Sequence, residues 1–346
     1  MTRRPRPAHS PAVPGARQRI AALLMLLASG CTATLPPAPE GPTVPRWTDT
    51  AWIAADGRRL PVTHWLPEGE PRSIVLALHG FSEHRNVFFA LAPHLAAAGH
   101  AVYAFDQRGF GETAERGFWP GRRRLVDDAR TAWRLLRERH PERPVHLLGH
   151  SMGGAVAALA VTGPAAIEPA STLLLAPGVH GWDSLPWFQA AGLRLSHWIA
   201  PDARPRQSWG RALADIRVTD DPRIAWLQAR DERILRSVRI DMVHGVVELM
   251  DAALGRIAKL PPPALILYGE RDDIIPRAAG CALVRGLADA PPGVGLRLYP
   301  EGYHYLARDR QRGRTIADIR AWLAEAPPPD PTTVVTAASA ARRLCH

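Results

Sequence analysis

The sequence predicts an α/β domain with a mostly parallel central sheet and helices on both faces. Short apolar runs that suit buried strands, such as 73–78, 145–148 and 264–268, are separated by segments with helical periodicity. In one of these segments Leu125 begins a series of apolar residues at helical spacing, with arginines between them. A chain of 346 residues with 46% hydrophobic residues is also long enough to bury a sizeable core. We therefore expect one large α/β domain that carries a subdomain.

The segment Gly149-His150-Ser151-Met152-Gly153-Gly154 follows the apolar run 145–148 and precedes the apolar stretch 155–161. A Gly-x-Ser-x-Gly motif between a strand and a helix is typical of a nucleophile elbow. In such a turn a side chain at either flanking glycine would clash, and the serine hydroxyl points out above the sheet. The motif alone could occur by chance in a chain with 28 glycines, so the assignment of Ser151 as the nucleophile depends on partners later in the chain.

A serine hydroxyl needs a base to accept its proton and an acid to orient that base. In this arrangement the acid and then the histidine follow the nucleophile, each on a loop after a strand. Asp272 follows the strand-like run 264–268, and His304 follows the run 295–299. We predict Asp272 as the acid and His304 as the base, with the adjacent Asp273 as an alternative acid that the sequence does not separate.

The apolar run 73–78 ends in the segment His79-Gly80-Phe81-Ser82-Glu83-His84. In this architecture the loop after that strand supplies one main-chain donor of an oxyanion hole, and the helix start after the serine supplies the other. We therefore assign the oxyanion hole to the N–H groups of Phe81 and Met152. Structural hydrogen bonding, rather than catalysis, is expected of His79, Glu83 and His84.

These motifs together resemble the successive signatures of one family. Two further segments belong to the set, Asp106-Gln107-Arg108-Gly109-Phe110-Gly111 and Gly302-Tyr303-His304. The chain resembles the monoacylglycerol lipase and lysophospholipase branch of the α/β-hydrolases, which is grouped with the serine aminopeptidase-like hydrolases. The resemblance covers about residues 47–326.

The resemblance implies the α/β-hydrolase fold, a helical cap insertion and the roles already assigned to Ser151, Asp272 and His304. It also implies main-chain oxyanion donors at Phe81 and Met152. One departure is Ser82, where many relatives have glycine. The segment 106–111 is expected to stabilise a turn near the site, with Asp106 and Arg108 tying the backbone.

An insertion over about 178–260 separates the apolar run 171–175 from the strand-like run at Ala264. In this fold such an insertion forms a helical cap over the serine. It contains five of the chain's 11 tryptophans, namely Trp182, Trp187, Trp198, Trp209 and Trp226. We expect most of them to pack the cap against the core, and an apolar cap also suits a fatty acyl chain.

Residues 1–31 have the pattern of a secretory signal, with five arginines before the apolar segment 20–28. The junction Gly30-Cys31 resembles a bacterial lipobox, in which the cysteine is lipidated and becomes the new N-terminus, although Ala28 replaces the commonest leucine. We expect a lipid anchor on Cys31 that holds the protein in the bacterial cell envelope, facing the periplasm. Thr32 in place of aspartate favours the outer membrane. An uncleaved anchor or a misassigned start codon are the alternatives.

The remaining boundaries follow from composition. Residues 32–46 are rich in proline and read as a tether, and residues 47–326 hold the hydrolase domain. Residues 327–346 open with three prolines and are predicted to be a flexible tail.

Composition excludes several other functions. The net charge is +10, but five of the positive charges lie in the signal segment and the other arginines are scattered, so we expect no nucleic-acid partner. The single lysine, Lys259, lies in no Ser-x-x-Lys or Schiff-base setting. No His-Glu-x-x-His or Cys-x-x-Cys spacing is present, so we expect no metal and no cofactor. Cys281 and Cys345 could form a disulfide or remain free thiols.

The sequence thus predicts a lipid-anchored, cap-bearing serine hydrolase that cleaves carboxylic esters of single-chain lipids through an acyl-enzyme on Ser151. Monoacylglycerols and lysophospholipids are the expected substrates. An acyltransferase or an aminopeptidase-type amidase with the same triad is an alternative, as is a non-catalytic lipid-binding lipoprotein. The acyl-chain length, the head group and the oligomeric state stay open.

Overall fold

The computed structural model describes residues 41, 43–205 and 216–345, and within these residues nine strands form one sheet. The strands are β1 Arg46–Trp47, β2 Ala51–Ile53, β3 Arg59–Trp65, β4 Ser73–Leu78, β5 His100–Phe105, β6 Val145–His150, β7 Thr172–Leu175, β8 Ala264–Gly269 and β9 Val294–Tyr299. Their order across the sheet is β1-β2-β3-β5-β4-β6-β7-β8-β9. The pairs from β1 to β3 and the β3–β5 pair are antiparallel, whereas every pair from β5 to β9 is parallel. The predicted α/β fold with a mostly parallel sheet is confirmed.

The helices of the described residues are α1 Ala92–Ala97, α2 Arg122–Arg139, α3 Met152–Ala160, α4 Trp187–Ile199, α5 Pro222–Arg230, α6 Ile240–Leu254, α7 Arg277–Leu287, α8 Arg312–Leu323 and α9 Ala337–Leu344. Short 3₁₀ helices occupy Arg85–Ala90, Trp182–Ser184, Ile257–Lys259 and Pro331–Thr333.

The sheet is covered on both faces. Alternate residues of β4 point to opposite sides, so that Leu76 joins a core cluster with residues of α2, α3 and α7, and Val75 joins a second cluster with residues of α1 and α8. All six residues of β4 and of β6 are buried, which explains why these strands read as continuous apolar runs rather than as alternating ones.

The parallel strands bring the predicted site to one edge of the sheet. Phe81, Ser151, Asp272 and His304 each follow the carboxyl end of a strand, β4, β6, β8 and β9 respectively. Loops at the carboxyl ends of parallel strands share one edge, which is where α/β folds place their ligand sites. Residues that are far apart in the sequence are thereby placed at the same edge of the sheet.

Helices α4, α5 and α6 lie in the insertion between β7 and β8, as the sequence predicts for a cap. The expectation that the cap tryptophans mostly pack against the core is wrong for three of the four described ones, whereas Trp182 is partly buried. Trp187 is 80% exposed, Trp198 81% and Trp226 55%, because they lie on helix faces that point away from the core. Trp209 lies outside the described residues.

The C-terminal segment is not a flexible tail, so this prediction is wrong for residues 331–345. Helix α9 packs against α7, with Ala340 and Leu344 buried in the main core cluster. A disulfide joins Cys281 of α7 to Cys345, which resolves the question of whether these cysteines pair. Just before α9, the Val335 N–H donates to the Leu296 carbonyl of β9 at 3.3 Å.

The predicted signal segment and Cys31 lie outside the described residues, as does most of the predicted tether. Among the described residues, no helix is both long enough and apolar enough to cross a membrane.

Candidate active site

Ser151 occupies a strained turn between β6 and α3. Its backbone has φ 52° and ψ −119°, a conformation that non-glycine residues rarely adopt and that costs about 1–3 kcal/mol. A Cβ atom at Gly149 would lie 2.2 Å from the Gly153 carbonyl oxygen, and one at Gly153 would lie 2.1 Å from the Leu78 carbonyl oxygen. Only glycine fits at these two positions, as the motif predicts.

Hydrogen bonds hold this turn in place. The Ser151 N–H donates to the Leu175 carbonyl at 3.0 Å, and the Ser151 carbonyl accepts from the N–H groups of Gly154 and Gly178 at 2.8 Å each. The elbow is therefore attached to both its own helix and the loop after β7.

The structure brings Asp272, and not Asp273, to His304. The Nδ1 atom of His304 lies 2.7 Å from Oδ2 of Asp272, and the side chains are 4% and 0% exposed. The other carboxylate oxygen, Oδ1, accepts the main-chain N–H groups of Ile274 and Ile275 at 2.9 Å each. Asp273 instead accepts the Arg217 N–H at the surface.

This geometry sets the tautomer of His304. Because the Asp272 carboxylate accepts, Nδ1 carries a proton and Nε2 is left to exchange protons. Within the described residues Nε2 of His304 has no hydrogen-bond partner. The imidazole ring lies 5.1 Å from that of His150, the residue immediately before the serine.

The N–H groups of Phe81 and Met152 both lack an acceptor within the part of the chain that the structure describes. Met152 is the first residue of α3, where a free N–H and the helix dipole favour an anion. A Cβ atom on Gly80 would lie 3.2 Å from Cβ of Ser151, so the loop before Phe81 passes directly beside the serine. Two free donors therefore belong to the two segments that meet at the serine.

The backbone conformation of Ser82 explains why glycine would suit this position better. Its φ is 65°, in the left-handed region that glycine adopts without cost. Its carbonyl accepts the Leu235 N–H of the cap insertion at 2.9 Å. A serine at position 82 therefore adds local backbone strain. The loop that contains it is held by this hydrogen bond to the cap insertion.

The structural roles expected of the three neighbouring polar residues are confirmed. His79 is fully buried, accepts the Gln107 N–H at Nε2 and donates from Nδ1 to the Gly80 carbonyl. Burial lowers the pKa of His79 to about 4, which keeps the ring neutral. His84 lies 2.8 Å from Asp231 of the cap insertion through Nε2.

Glu83 organises a buried cluster whose members the sequence does not reveal. Its Oε2 accepts the Gly80 N–H at 3.1 Å and contacts Nδ1 of His150 at 3.0 Å, while its Oε1 accepts from Arg308 at 2.6 Å. Burial alone would raise the pKa of Glu83, but Arg308 and His150 outweigh it and hold that pKa well below its ordinary value.

His150 links this cluster to the His304 loop. Its Nε2 lies 3.2 Å from the His304 carbonyl oxygen, which can only accept, so Nε2 carries a proton. Its Nδ1 faces the Glu83 carboxylate, yet burial outweighs this carboxylate and lowers the pKa of His150. The loop after β4, the turn at Ser151 and the His304 loop are thus joined through the Glu83 carboxylate and the His150 imidazole.

The segment 106–111 behaves as predicted. Asp106 accepts the main-chain N–H groups of Arg85 and Glu112 at 2.8 Å each, and Arg108 pairs with Asp56 and Asp128. These bonds fix the turn beside the oxyanion loop and do not touch Ser151.

Comparison with known proteins identifies the family. The model described as "Serine aminopeptidase, S33", a hydrolase family, matches residues 69–311, well over half of the chain. The chain belongs to this family. The resemblance inferred from the motifs is thereby confirmed, and the matched span of this serine aminopeptidase family includes Ser151, Asp272 and His304.

The chain is similar to the monoacylglycerol lipase of Mycolicibacterium smegmatis. The two are 27% identical over 279 residues, which cover 80% of this chain and 96% of the relative. Human monoglyceride lipase is 25% identical over 287 residues, 79% of this chain and 89% of the relative. A solved structure of a soluble variant of Saccharomyces cerevisiae monoglyceride lipase, in complex with a substrate analogue, superposes with a TM-score of 0.67 at 22% identity and covers 84% of this chain and 99% of that one. At that identity the structural likeness shows the α/β-hydrolase fold.

Proposed function

We propose that this chain is a serine hydrolase that cleaves carboxylic esters of single-chain lipids, such as monoacylglycerols or lysophospholipids. The observation that carries the proposal is the buried Asp272–His304 pair, 2.7 Å between Oδ2 and Nδ1, at the sheet edge where Ser151 is held in its strained elbow. Such an arrangement activates a hydroxyl that would otherwise be a poor nucleophile at neutral pH.

In the proposed acylation, Nε2 of His304 accepts the Ser151 proton while Oγ attacks the ester carbonyl carbon. Asp272 holds the imidazole in the required tautomer and stabilises its charged form. The oxyanion that develops is bound by the N–H groups of Phe81 and Met152, which have no protein acceptor within the described residues. Each donor of this kind contributes about 10²–10³-fold in rate.

The protonated His304 then gives its proton to the leaving alcohol, and the acyl group remains on Ser151 as an ester. A water molecule replaces the alcohol, His304 removes its proton, and attack on the acyl carbon releases the carboxylic acid. These steps use only groups of this chain and one water, and no cofactor takes part in them.

Two observations support a lipid ester as the substrate. Relatives across most of the chain are named monoacylglycerol or monoglyceride lipases. In addition, helix α4 of the cap exposes large apolar side chains, namely Trp187, Phe188, Leu195, Trp198 and Ile199. An apolar cap surface of this kind suits a substrate that enters from an aggregated or membrane-bound state.

We further propose that lipidation at Cys31 anchors the enzyme in the bacterial cell envelope. The support is the signal-like segment with its Gly30-Cys31 junction. A Cys31→Ser variant should lose metabolic labelling with palmitate and leave the membrane fraction. Labelling that persists in the variant would contradict this anchor.

The hydrolase proposal is tested by labelling with a fluorophosphonate probe, wild type beside Ser151→Ala, followed by a panel of esters. We expect labelling at Ser151 that vanishes in the variant, and hydrolysis of monoacylglycerols or lysophospholipids. Absence of labelling in folded wild-type protein would overturn the proposal in favour of a non-catalytic scaffold.

Labelling without ester hydrolysis would overturn the lipid-ester assignment and point to the alternatives. Aminoacyl amides in the same panel report an aminopeptidase-type activity, and an added alcohol acceptor reports acyl transfer. The active-site assignment and the substrate assignment can therefore fail separately.

A further inference from the structure

A cavity of about 1710 Å³ lies at the end of the sheet opposite to Ser151. Its wall includes Ser73 and His100, the first residues of β4 and β5, and His146 near the start of β6. The candidate catalytic residues follow the carboxyl ends of the strands. A six-residue strand such as β4 spans about 20 Å, so this cavity is separate from the active site.

Two buried imidazoles line this cavity. His100 is 5% exposed and His146 is 8% exposed, and Nδ1 of each contacts a serine hydroxyl, at 2.8 Å from Ser73 and 2.9 Å from Ser171. The Ser171 hydroxyl also accepts the indole N–H of Trp322 at 3.1 Å, and its own proton is available to donate to Nδ1 of His146. In that arrangement Nε2 of His146 carries the ring proton.

Neither Nε2 atom has a partner within the described residues, although both rings line the cavity. Burial lowers the pKa of His146 to about 4 and also lowers that of His100, so both rings are neutral at pH 7 and each carries one N–H. Both Nε2 atoms border the open volume of the cavity, where a ligand or water can satisfy them.

Two arginines add positive charge beside these rings. Arg72 and Arg320 line the cavity, and neither forms an ion pair with a carboxylate in the described part of the chain. Both contribute to lowering the pKa of His100, and no carboxylate raises that of either histidine. The acidic residues of the cavity wall are exposed to water, namely Glu68, Glu70 and Glu325. The part of the wall formed by the two histidines and the two arginines therefore favours an anion.

The rest of the wall is largely apolar. Ala97, Ala170, Ala321 and the ring of Trp322 contribute to it. Ligand pockets occupy about 300–1,000 Å³, so this cavity has room for an extended hydrocarbon chain. Imidazoles and positive charge beside an apolar wall suit a molecule with an anionic head and an apolar tail.

We propose that this cavity binds an amphiphilic carboxylate, a fatty acid, with its head group on His100, His146 and the two arginines. The acid released by the proposed ester hydrolysis has this chemistry, but the site does not depend on that reaction. With the hydroxyls of Ser73 and Ser171 donating to the two Nδ1 atoms, the carboxylate would accept both Nε2–H groups and pair with Arg72 and Arg320, while the chain lies along the apolar wall.

The test uses the full-length Ser151→Ala variant, so that binding is measured without turnover. The result then does not depend on whether the wild-type chain hydrolyses esters. Titration calorimetry with laurate below its micellar concentration should show one site. Dodecyltrimethylammonium, with the same chain and the opposite charge, should bind at least about tenfold more weakly. In NMR spectra, the imidazole signals of His100 and His146 should shift with laurate.

The double variant Arg72→Gln/Arg320→Gln should weaken laurate binding by about tenfold or more. A matched variant, Arg122→Gln/Arg123→Gln, removes two exposed arginines of α2 and should leave the affinity unchanged. Both substitutions are at exposed positions, so neither is expected to unfold the protein. Equal affinity in the two double variants, equal binding of the cationic amphiphile, or no laurate binding at all would each overturn the proposal.

Discussion

Replacement of Asp272 by asparagine should lower turnover by about four orders of magnitude while the protein stays folded. The side chain has two distinct sets of partners, because Oδ1 accepts two main-chain N–H groups and Oδ2 faces Nδ1 of His304. The asparagine oxygen must stay on the N–H side, since an amide NH₂ there would face two donors. The NH₂ group is then directed at His304.

This orientation reverses the tautomer of the histidine. Nδ1 of His304 must accept from the asparagine NH₂, so the ring proton moves to Nε2, which then cannot accept the Ser151 proton. Loss of the correct tautomer in a triad costs about 10⁴-fold in kcat, equivalent to about 5.4 kcal/mol at 1.36 kcal/mol per tenfold change. Stability should change little, because the hydrogen bonds to Ile274 and Ile275 are kept.

The assay is the kcat for a short-chain p-nitrophenyl ester, with thermal unfolding measured on the same samples. Asp273→Asn is the matched control, because within the described residues this side chain accepts only the Arg217 N–H, at the surface. Its kcat should stay within about twofold. An Asp272→Asn variant that keeps a tenth of the wild-type activity, or an Asp273→Asn variant that loses as much as Asp272→Asn, would contradict this role of Asp272.

Three further predictions concern stability. Glu83→Gln should lower the free energy of unfolding by about 3–5 kcal/mol at pH 7, because it leaves Arg308 buried without its counter-charge. The folded pKa of Glu83 is depressed below its ordinary value of 4.5, so the stability that its charge contributes is present above pH 4.5 and is lost as the pH falls through the folded pKa. In urea unfolding, the difference in unfolding free energy between wild type and variant should therefore shrink below pH 4.5. Ser82→Gly should raise the free energy of unfolding by about 0.5–1 kcal/mol by relieving a φ of 65°, and a decrease would contradict that explanation. Cys345→Ser removes a disulfide that joins residues 64 positions apart and should lower the free energy of unfolding by about 2–4 kcal/mol. Adding reductant to the wild type should have the same effect, whereas reductant should not change the stability of the variant.

Much of the fold and of the candidate site follows from the sequence because its signals are local. A strand that runs into Gly-x-Ser-x-Gly can form only a tight turn, and here the clashes at Gly149 and Gly153 enforce it. Asp272 and His304 follow neighbouring strands of the same sheet. Because these strands are parallel, the two residues lie at the same edge of the sheet and can contact each other. The choice between Asp272 and Asp273 could not be made, because it depends on which side chain accepts the N–H groups of the next turn.

The parts that were missed depend on long-range pairing. Arg308 is one of many arginines in the chain, and nothing near it marks it as the partner of Glu83, which lies 225 residues earlier. The C-terminal helix also gives a weak signal. Its apolar stripe consists of Ala337, Ala340 and Ala341 with a single leucine, and its position is secured by a disulfide that spacing alone does not reveal.

The C-terminal segment also protects the sheet against self-association. Strand β9 is the last strand of the sheet, and its outer edge would expose unpaired N–H and carbonyl groups to other molecules. Val334 forms an antiparallel bridge with Arg297 of β9, and Val335 donates to Leu296, so part of this edge is already occupied. A chain ending at the boundary of the family match, residue 311, would lose this cover together with the disulfide and would present a bare edge strand to its neighbours. The last residues thus act as a built-in barrier to edge-to-edge aggregation.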